Sequence, residues 1–385
     1  MPEALVISQS QVRGDSRVRR QIDWLAADGW TVDTLGLGPH PSDVVRTHYE
    51  MVDEPAWTKP RPIKALIHLY PSFRSRFRLL SLSRIPREAV AAIRSGRYRL
   101  VVFEDVHLIA WIDDETTFGP HRADMHVHLD IHEYHPPVLA PTVVGRGLVN
   151  PYYRWSRAHI GSPHFATRTV VADAYADVYE REFGFTRPLV VRNAPPAVSQ
   201  KPGAVDPDRI RLLYHGGAVW ERGLQQIIDA LEHLDDRFTM TFMLTGSQKT
   251  AQQVREASTG NPRVEFVPAV TVHEVAGAIN GYDLEIMFYP PATENLRLAL
   301  PNKLFEAVQG RLGLVVGESL SMAQVVGEHG NGVVIEGWTG ADLARGLNAL
   351  TADDIRRFKK ASDRAAAVLN AEHERETFRA AIAGA

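Results

Sequence analysis

The chain has 385 residues, a formal net charge of −3 and no cysteine, which excludes disulfide frameworks, thiolate catalysis and cysteine-ligated zinc. Its hydrophobic share of 44% is that of a globular protein, and the length suits two domains that each bury a core. The near-neutral balance gives no general reason to expect nucleic acid as a partner.

The N-terminus runs straight into Ala4-Leu5-Val6-Ile7 without a basic region ahead of an apolar core, so no signal peptide is expected. No apolar run reaches the ~20 residues needed to span a bilayer. Both features point to a cytoplasmic protein. Leu5-Val6-Ile7 reads as a strand, followed by a polar loop through Gly14-Asp15-Ser16. Val18, Ile22, Leu25 and Ala26 then recur at helical spacing as far as Gly29, and a strand resumes over 31–35. This strand–helix–strand rhythm predicts a parallel sheet. Further strands are expected at 100–103, 127–131, 169–171 and 189–191.

Residues 59–99 carry Lys59, Arg61, Lys64, Arg74, Arg76, Arg78, Arg84, Arg87, Arg94, Arg97 and Arg99 against Glu88 alone. His68, Leu69, Tyr70, Phe73 and Phe77 interleave with them. Such a run is either a solvated helix face or a patch, centred on Arg74, Arg76 and Arg78, for anionic lipid headgroups or a phosphorylated acceptor. The second reading adds peripheral contact with the inner face of the membrane.

Residues 124–135 read Asp-Met-His-Val-His-Leu-Asp-Ile-His-Glu-Tyr-His. On a strand, His126, His128, Asp130 and His132 share one face, and His-x-His is a metal-ligand spacing. No matching ligand set follows on later strands, so no metal is expected. His132 and Glu133, at the strand end, are the members expected to reach a cleft, with His126 and His128 structural.

Residues 193–208 are rich in turn formers and read as a linker between a first domain, 1–192, and a second, 209–365. After it the pattern restarts. A strand over 211–214 leads into a tight loop at His215-Gly216-Gly217, then a helix with Leu224, Ile227, Ile228 and Leu231 on one face. Strands are expected at 238–244, 264–267, 284–288, 314–316 and 332–335, with a charged helical tail from 353.

Two features of the second half suit a phosphate ligand. In Leu300-Pro301-Asn302-Lys303-Leu304-Phe305-Glu306 a helix opens on Pro301, whose missing N–H is no loss at a first helical position. The free N–H groups there suit an anion, Lys303 adds charge, and Glu306 on the same face can accept two ribose hydroxyls. The plain alternative is an amphipathic helix with two solvated charges. Gly216 and Gly217 let backbone approach a ligand, and Arg222 can grip a diphosphate at two points. Ligands of doubly wound sheets sit at the carboxyl ends of the strands.

The second half resembles the donor-binding domain of the retaining glycosyltransferases of family 4. The matching residues are the Gly-Gly turn with Arg222-Gly223-Leu224, the segment Pro301-Asn302-Lys303-Leu304-Phe305-Glu306-Ala307, and Gly313 to Gly317. The first half matches more loosely, through Gly14-Asp15-Ser16-Arg17-Val18 and Asp130-Ile131-His132-Glu133. The resemblance implies the GT-B fold, two Rossmann-like α/β domains facing across a cleft, with a last helix, 366–385, packing back on the first domain. It implies a glycosyltransferase that moves a sugar from a nucleotide-diphosphate donor to a hydroxyl acceptor, with retention, in glycan, glycolipid or glycoside biosynthesis. Arg222 and Lys303 would neutralise the diphosphate, making a metal cofactor unnecessary. Glu306 would hold the ribose, backbone around Phe266 to Val270, with Val267 and Pro268, the base, and Pro301 and Asn302 the donor at the helix start. His132 would lie beside the transferred sugar, and Gly14 and Asp15 near the donor phosphate or acceptor.

The chain departs from the family at Leu298, where many relatives carry a second glutamate eight positions before the ribose-binding one. Glu294 and Asn295 are the candidates to replace it, though out of register. His215 stands where many relatives have a small or different residue. A nucleotide-sugar epimerase and a non-catalytic sugar-nucleotide sensor are the competing readings; acceptor-dependent release of nucleoside diphosphate separates enzyme from sensor. A dinucleotide oxidoreductase is disfavoured, since no Gly-x-Gly-x-x-Gly follows the first strand.

Overall fold

A computed structural model describes residues 1–55, 63, 66–67, 69–70, 72–139, 142 and 145–385. Lys59, Arg61, Lys64 and His68 of the basic run lie outside the described residues. The chain forms two compact units, Met1–Val191 with Arg375–Ala385, and Arg192–Glu374.

The first unit holds a seven-stranded parallel sheet: β1 Glu3–Gln11, β2 Thr31–Leu37, β3 Val45–Glu50, β4 Leu100–Glu104, β5 His126–Ile131, β6 Thr167–Val170 and β7 Leu189–Val190. Its order is β3-β2-β1-β4-β5-β6-β7. Parallel strands are covered on both faces, so they read as apolar runs; Ala4, Leu5, Val6 and Ile7 are all buried. Asp15 starts the helix Ser16–Ala27 by accepting from the N–H groups of Arg17 and Val18, and Val18, Ile22 and Leu25 pack on the sheet. The end of the chain completes this unit. Phe378 lies 5.8 Å from the Trp24 ring and 5.6 Å from His128, and Asp28 pairs with Arg375 and Arg379.

The second unit has a six-stranded parallel sheet: β8 Ile210–Gly217, β9 Phe238–Thr245, β10 Val264–Phe266, β11 Leu284–Met287, β12 Gly313–Gly317 and β13 Gly332–Ile335, in the order β10-β9-β8-β11-β12-β13. Its core gathers Leu212, Tyr214, Phe242, Ile286, Phe288 and Val315 with the helices Leu224–Ala230 and Gly340–Asn348. Residues 193–208 are fastened along this unit. The Val198 N–H donates to Gln309 Oε1 at 3.0 Å, and its carbonyl accepts from Arg311 Nη2 at 2.8 Å.

Each sheet has one point where the strand order reverses, between β1 and β4 in the first and between β8 and β11 in the second. Loops leaving adjacent strands there part to opposite faces and open a crevice at the carboxyl edge.

Candidate active site

In the second unit the reversal point is occupied by a buried charge network. β8 runs three residues further than sequence predicts, because His215, Gly216 and Gly217 still pair with Met243, Leu244 and Thr245 of β9. His215 is therefore a strand residue with a fixed, buried side chain, not part of a loop. Beside it on β11 stands Glu285, fully buried. His215 Nδ1 lies 2.9 Å from Glu285 Oε2, and its backbone N–H donates to Glu285 Oε1 at 3.2 Å. The other ring nitrogen, Nε2, lies 2.9 Å from Glu306 Oε2. Burial alone would lower the His215 pKa, but the two carboxylates outweigh it and raise it to about 9. The ring is thus an imidazolium donating at both nitrogens.

Lys303 joins the same network. Pro301 caps the helix Asn302–Gln309 rather than standing inside it, which puts Lys303 in the first turn. The side chain folds beneath the edge instead of into solvent and is 7% exposed. Its Nζ lies 3.6 Å from Glu285 Oε1, 3.5 Å from the Ile286 carbonyl and 3.6 Å above the Tyr214 ring. Burial and the nearby Arg222 outweigh the pull of Glu285 and lower its pKa to about 8. Leu304, Phe305 and Val308 bury the opposite side of the helix.

Gly216, Gly217 and Arg222 form the roof. A Cβ at Gly216 would meet Lys303 Cδ at 3.8 Å, and one at Gly217 would meet Arg222 Nη1 at 3.5 Å. Arg222 ends a single 3₁₀ turn, Trp220–Arg222, and Gly223 turns the chain into the next helix at φ +80°. A Cβ there would come within 1.7 Å of the Phe288 carbonyl oxygen, so only glycine fits. The structure thus gathers Gly216, Gly217, Arg222, Lys303 and Glu306 at one sheet edge, with three cations facing two carboxylates.

Other sequence-derived candidates lie in the same unit. The Val267 N–H extends the β9 pairing to the Phe242 carbonyl at 3.0 Å, and Pro268 follows, exposed, at the carboxyl end of β10. Glu294 and Asn295 open the short helix Glu294–Leu298. The Glu294 carboxylate is held by Arg297, which lowers its pKa. Asn295 Oδ1 is buried with no hydrogen-bond partner among the described residues. Leu298 is fully buried, and its carbonyl accepts from Ser321 Oγ at 2.7 Å, so the position at which the resemblance breaks serves the core.

In the first unit the reversal point holds a second network. Arg17, 5% exposed, makes a two-point contact with Asp130 and donates Nη1 to the Val191 carbonyl at 2.8 Å. Gln21 and Thr169 also donate to Asp130. His132 Nε2 lies 2.8 Å from Glu104 Oε2 and 3.3 Å from Asp130 Oδ2. Burial opposes the charge on His132, but Asp130 and Glu104 raise its pKa to about 10. Burial, reinforced by Asp130, lifts Glu104 to about 7 despite His132. Burial would raise Asp130 too, yet Arg17 and His132 hold it well below the usual range. Gly14 and Asp15 form the adjacent turn, in which Asp15 is occupied as the helix cap.

Glu104, Asp130 and His132 each offer a ligand atom within 4.8 Å of the others, the one such cluster among the described residues. The guanidinium of Arg17 and the proton shared with His132 already occupy the Asp130 side of it. His126 and His128 instead bond Thr167 and Thr169 at 2.9 Å. Glu133 is exposed. In the basic stretch, Arg74 is exposed, but Arg76 is buried with Nε on the Tyr70 carbonyl at 2.6 Å, and Arg78 pairs with Asp114 at 2.6 Å.

Glu285, Tyr214 and Glu104 are site residues that sequence reasoning missed. Their one signal is position: each closes, or sits inside, a strand beside the point of reversal. A carboxylate in such a doubly covered strand needs a buried partner.

Residues 209–353 match the family model described as glycosyl transferases group 1. A search of curated proteins finds no match. Among solved structures, the chain is similar to sucrose-phosphate synthase from Thermosynechococcus elongatus, at 14% identity over 100% of both chains and a TM-score of 0.71. It is also similar to Anabaena HepE in complex with UDP and glucose, at 13% identity over 100% of both chains and a TM-score of 0.65. A third is an alpha,alpha-trehalose-phosphate synthase (UDP-forming) from Burkholderia vietnamiensis, at 14% identity over 100% of both chains and a TM-score of 0.60. These likenesses establish a GT-B-type fold. The second unit carries a group 1 glycosyltransferase domain, and the chain is accordingly a glycosyltransferase.

Proposed function

We propose that the enzyme transfers a sugar from a nucleoside-diphosphate donor to a hydroxyl acceptor, with retention of configuration, as the family 4 resemblance implies. The observation that carries the reading is the convergence of Arg222, Lys303 and Glu306 at the reversal point of the second sheet. Arg222 is assigned to the diphosphate, with Lys303 adding its field from beneath. Both act on charge that grows on the leaving group, where preorganised cations lower the barrier. With two cations in that role a divalent metal is unnecessary, and a chelator is expected to leave transfer unchanged. Glu306 is assigned to the ribose, and the edge after β10 at Val267 and Pro268 to the base. UDP in the names of two similar structures makes uracil the first base to test.

His132 is assigned to the transferred sugar. As an imidazolium it donates a hydrogen bond or stabilises negative charge, and it does not take the acceptor proton. That proton would pass to the departing diphosphate. The acceptor belongs to glycan, glycolipid or small-molecule glycoside synthesis, in the cytoplasm. No helix among the described residues is long and apolar enough to cross a membrane.

The test is acceptor-dependent release of nucleoside diphosphate, compared in wild type, Arg222→Ala and Lys303→Ala. Each substitution is expected to cost about 100-fold or more in rate, in line with removing one preorganised donor from a transition state. Undiminished transfer in both variants would refute the site assignment.

A further inference from the structure

His215 has a geometry that the donor site described so far does not use. It stands between a carboxylate sealed in the sheet, Glu285 at 0% exposure, and Glu306 at the edge of the site. Its ring is fixed from behind twice, by its own backbone N–H and by Nδ1, both on Glu285. Only Nε2 points outward, and it holds one oxygen of Glu306 at 2.9 Å. The other oxygen, Oε1, has no bond among the described residues. A glutamate in the second turn of a helix has several rotamers open to it, and fixing one oxygen from the sheet selects the rotamer that presents the other.

We propose that His215 is a positioning residue for nucleotide recognition: anchored on Glu285, it aims Glu306 at the ribose hydroxyls and so sets the preference for ribose over deoxyribose. The inference rests on the assignment of Glu306 to the ribose. The charged groups facing His215 are consistent with it: Glu285 from β11, and Glu306 and Lys303 from the helix Asn302–Gln309. The two carboxylates keep the ring protonated, so it acts on Glu306 as a charged donor throughout the neutral range. Lys303 shares Glu285 with His215, which couples the ribose contact to the phosphate cation through one buried anchor.

The experiment measures binding of whichever of UDP, GDP and ADP the wild type holds most tightly, beside its 2′,3′-dideoxy analogue. The variants are Glu306→Ala, His215→Leu and His215→Gln. Glu306→Ala should cost about tenfold or more against the ribonucleotide and little against the dideoxy analogue, the loss expected for hydrogen bonds to a charged group. His215→Leu should do the same, His215→Gln should restore part of the preference through its amide donor, and the double variant His215→Leu with Glu306→Ala should lose nothing further. If His215→Leu does not fold because Glu285 is stranded, Glu285→Leu with His215→Leu removes both members and carries the same prediction.

Equal loss against both ligands would make His215 a merely structural residue and overturn the inference, leaving the donor site intact. Unchanged discrimination in His215→Leu would overturn it as well. A wild type that binds none of the three would overturn the donor reading, and this inference with it.

Discussion

Arg17 and Asp130 form a buried two-point ion pair, Nε to Oδ2 at 2.6 Å and Nη2 to Oδ1 at 2.7 Å. It ties the helix that leaves β1 to the strand end that carries His132. Asp130 also takes hydrogen bonds from Gln21 and Thr169, so its charge is fully satisfied only while Arg17 is present. Breaking one side of such a pair strands the other charge in the interior. Arg17→Met is expected to lower the stability of the first unit by about 3–5 kcal/mol in urea unfolding. A loss under about 1 kcal/mol would show that the pair is dispensable.

Lys303 provides a second test, through protons. Its pKa is lowered to about 8, so near pH 8.5 a sizeable fraction of the free protein carries a neutral amine there. A bound diphosphate favours the ammonium. Binding should therefore take up protons at pH 8.5, and affinity should decline as pH rises beyond 8. Calorimetry in buffers of different ionisation enthalpy reads the uptake directly; identical heats in all buffers would contradict it. Stability is a less useful readout, because two groups oppose. The depressed Lys303 makes stability rise with pH between about 8 and its ordinary value of 10.5. His215 contributes stability that is complete below 6.5 and is lost as pH rises through about 9.

His132 should leave no mark on the neutral pH–rate profile. Its pKa, raised to about 10 by Asp130 and Glu104, keeps it charged across the range in which an ordinary histidine titrates. Any limb near pH 7 should instead follow Glu104, which shares its hydrogen bond, and should vanish in Glu104→Gln. His132→Ala is expected to lower the turnover rate by about 100-fold with a smaller change in donor affinity. A limb near pH 6.5 that disappears in His132→Gln would contradict the assignment of a permanent imidazolium.

Gly223→Ala tests the backbone that carries Arg222. The new Cβ would overlap the Phe288 carbonyl oxygen, and the residue would be held at φ +80°. The conformation alone costs about 1–3 kcal/mol, and the overlap adds to it. A lower melting temperature with weakened diphosphate binding is expected. Unchanged binding would mean that the turn has no part in placing Arg222.

Most strands were legible because both faces of a parallel sheet are covered, so their apolar runs stand out. Strand β3 was not: Val45-Arg46-Thr47-His48-Tyr49-Glu50 is an edge strand in which Val45 alone is buried. The end of β8 was misread for a different reason. His215-Gly216-Gly217 has the composition of a turn, yet pairing with β9 holds it extended. Arg222, Lys303 and Glu306 were singled out by residue type and spacing, and the sheet brings them to one edge. What spacing could not show is the depth of Lys303, set by Glu285 on the preceding strand and by Tyr214 on β8, far away in the chain. Glu285 itself looked like one polar residue in an apolar strand. Only the partners across the sheet reveal it as an anchor.

The most direct measurement is calorimetric titration of the full chain with UDP, GDP, dTDP and ADP, in wild type and Glu306→Ala. The account predicts that one nucleotide binds and that the substitution weakens it by about tenfold or more. Failure of the folded protein to bind any of the four, or a Glu306→Ala variant that binds as well as wild type, would contradict it.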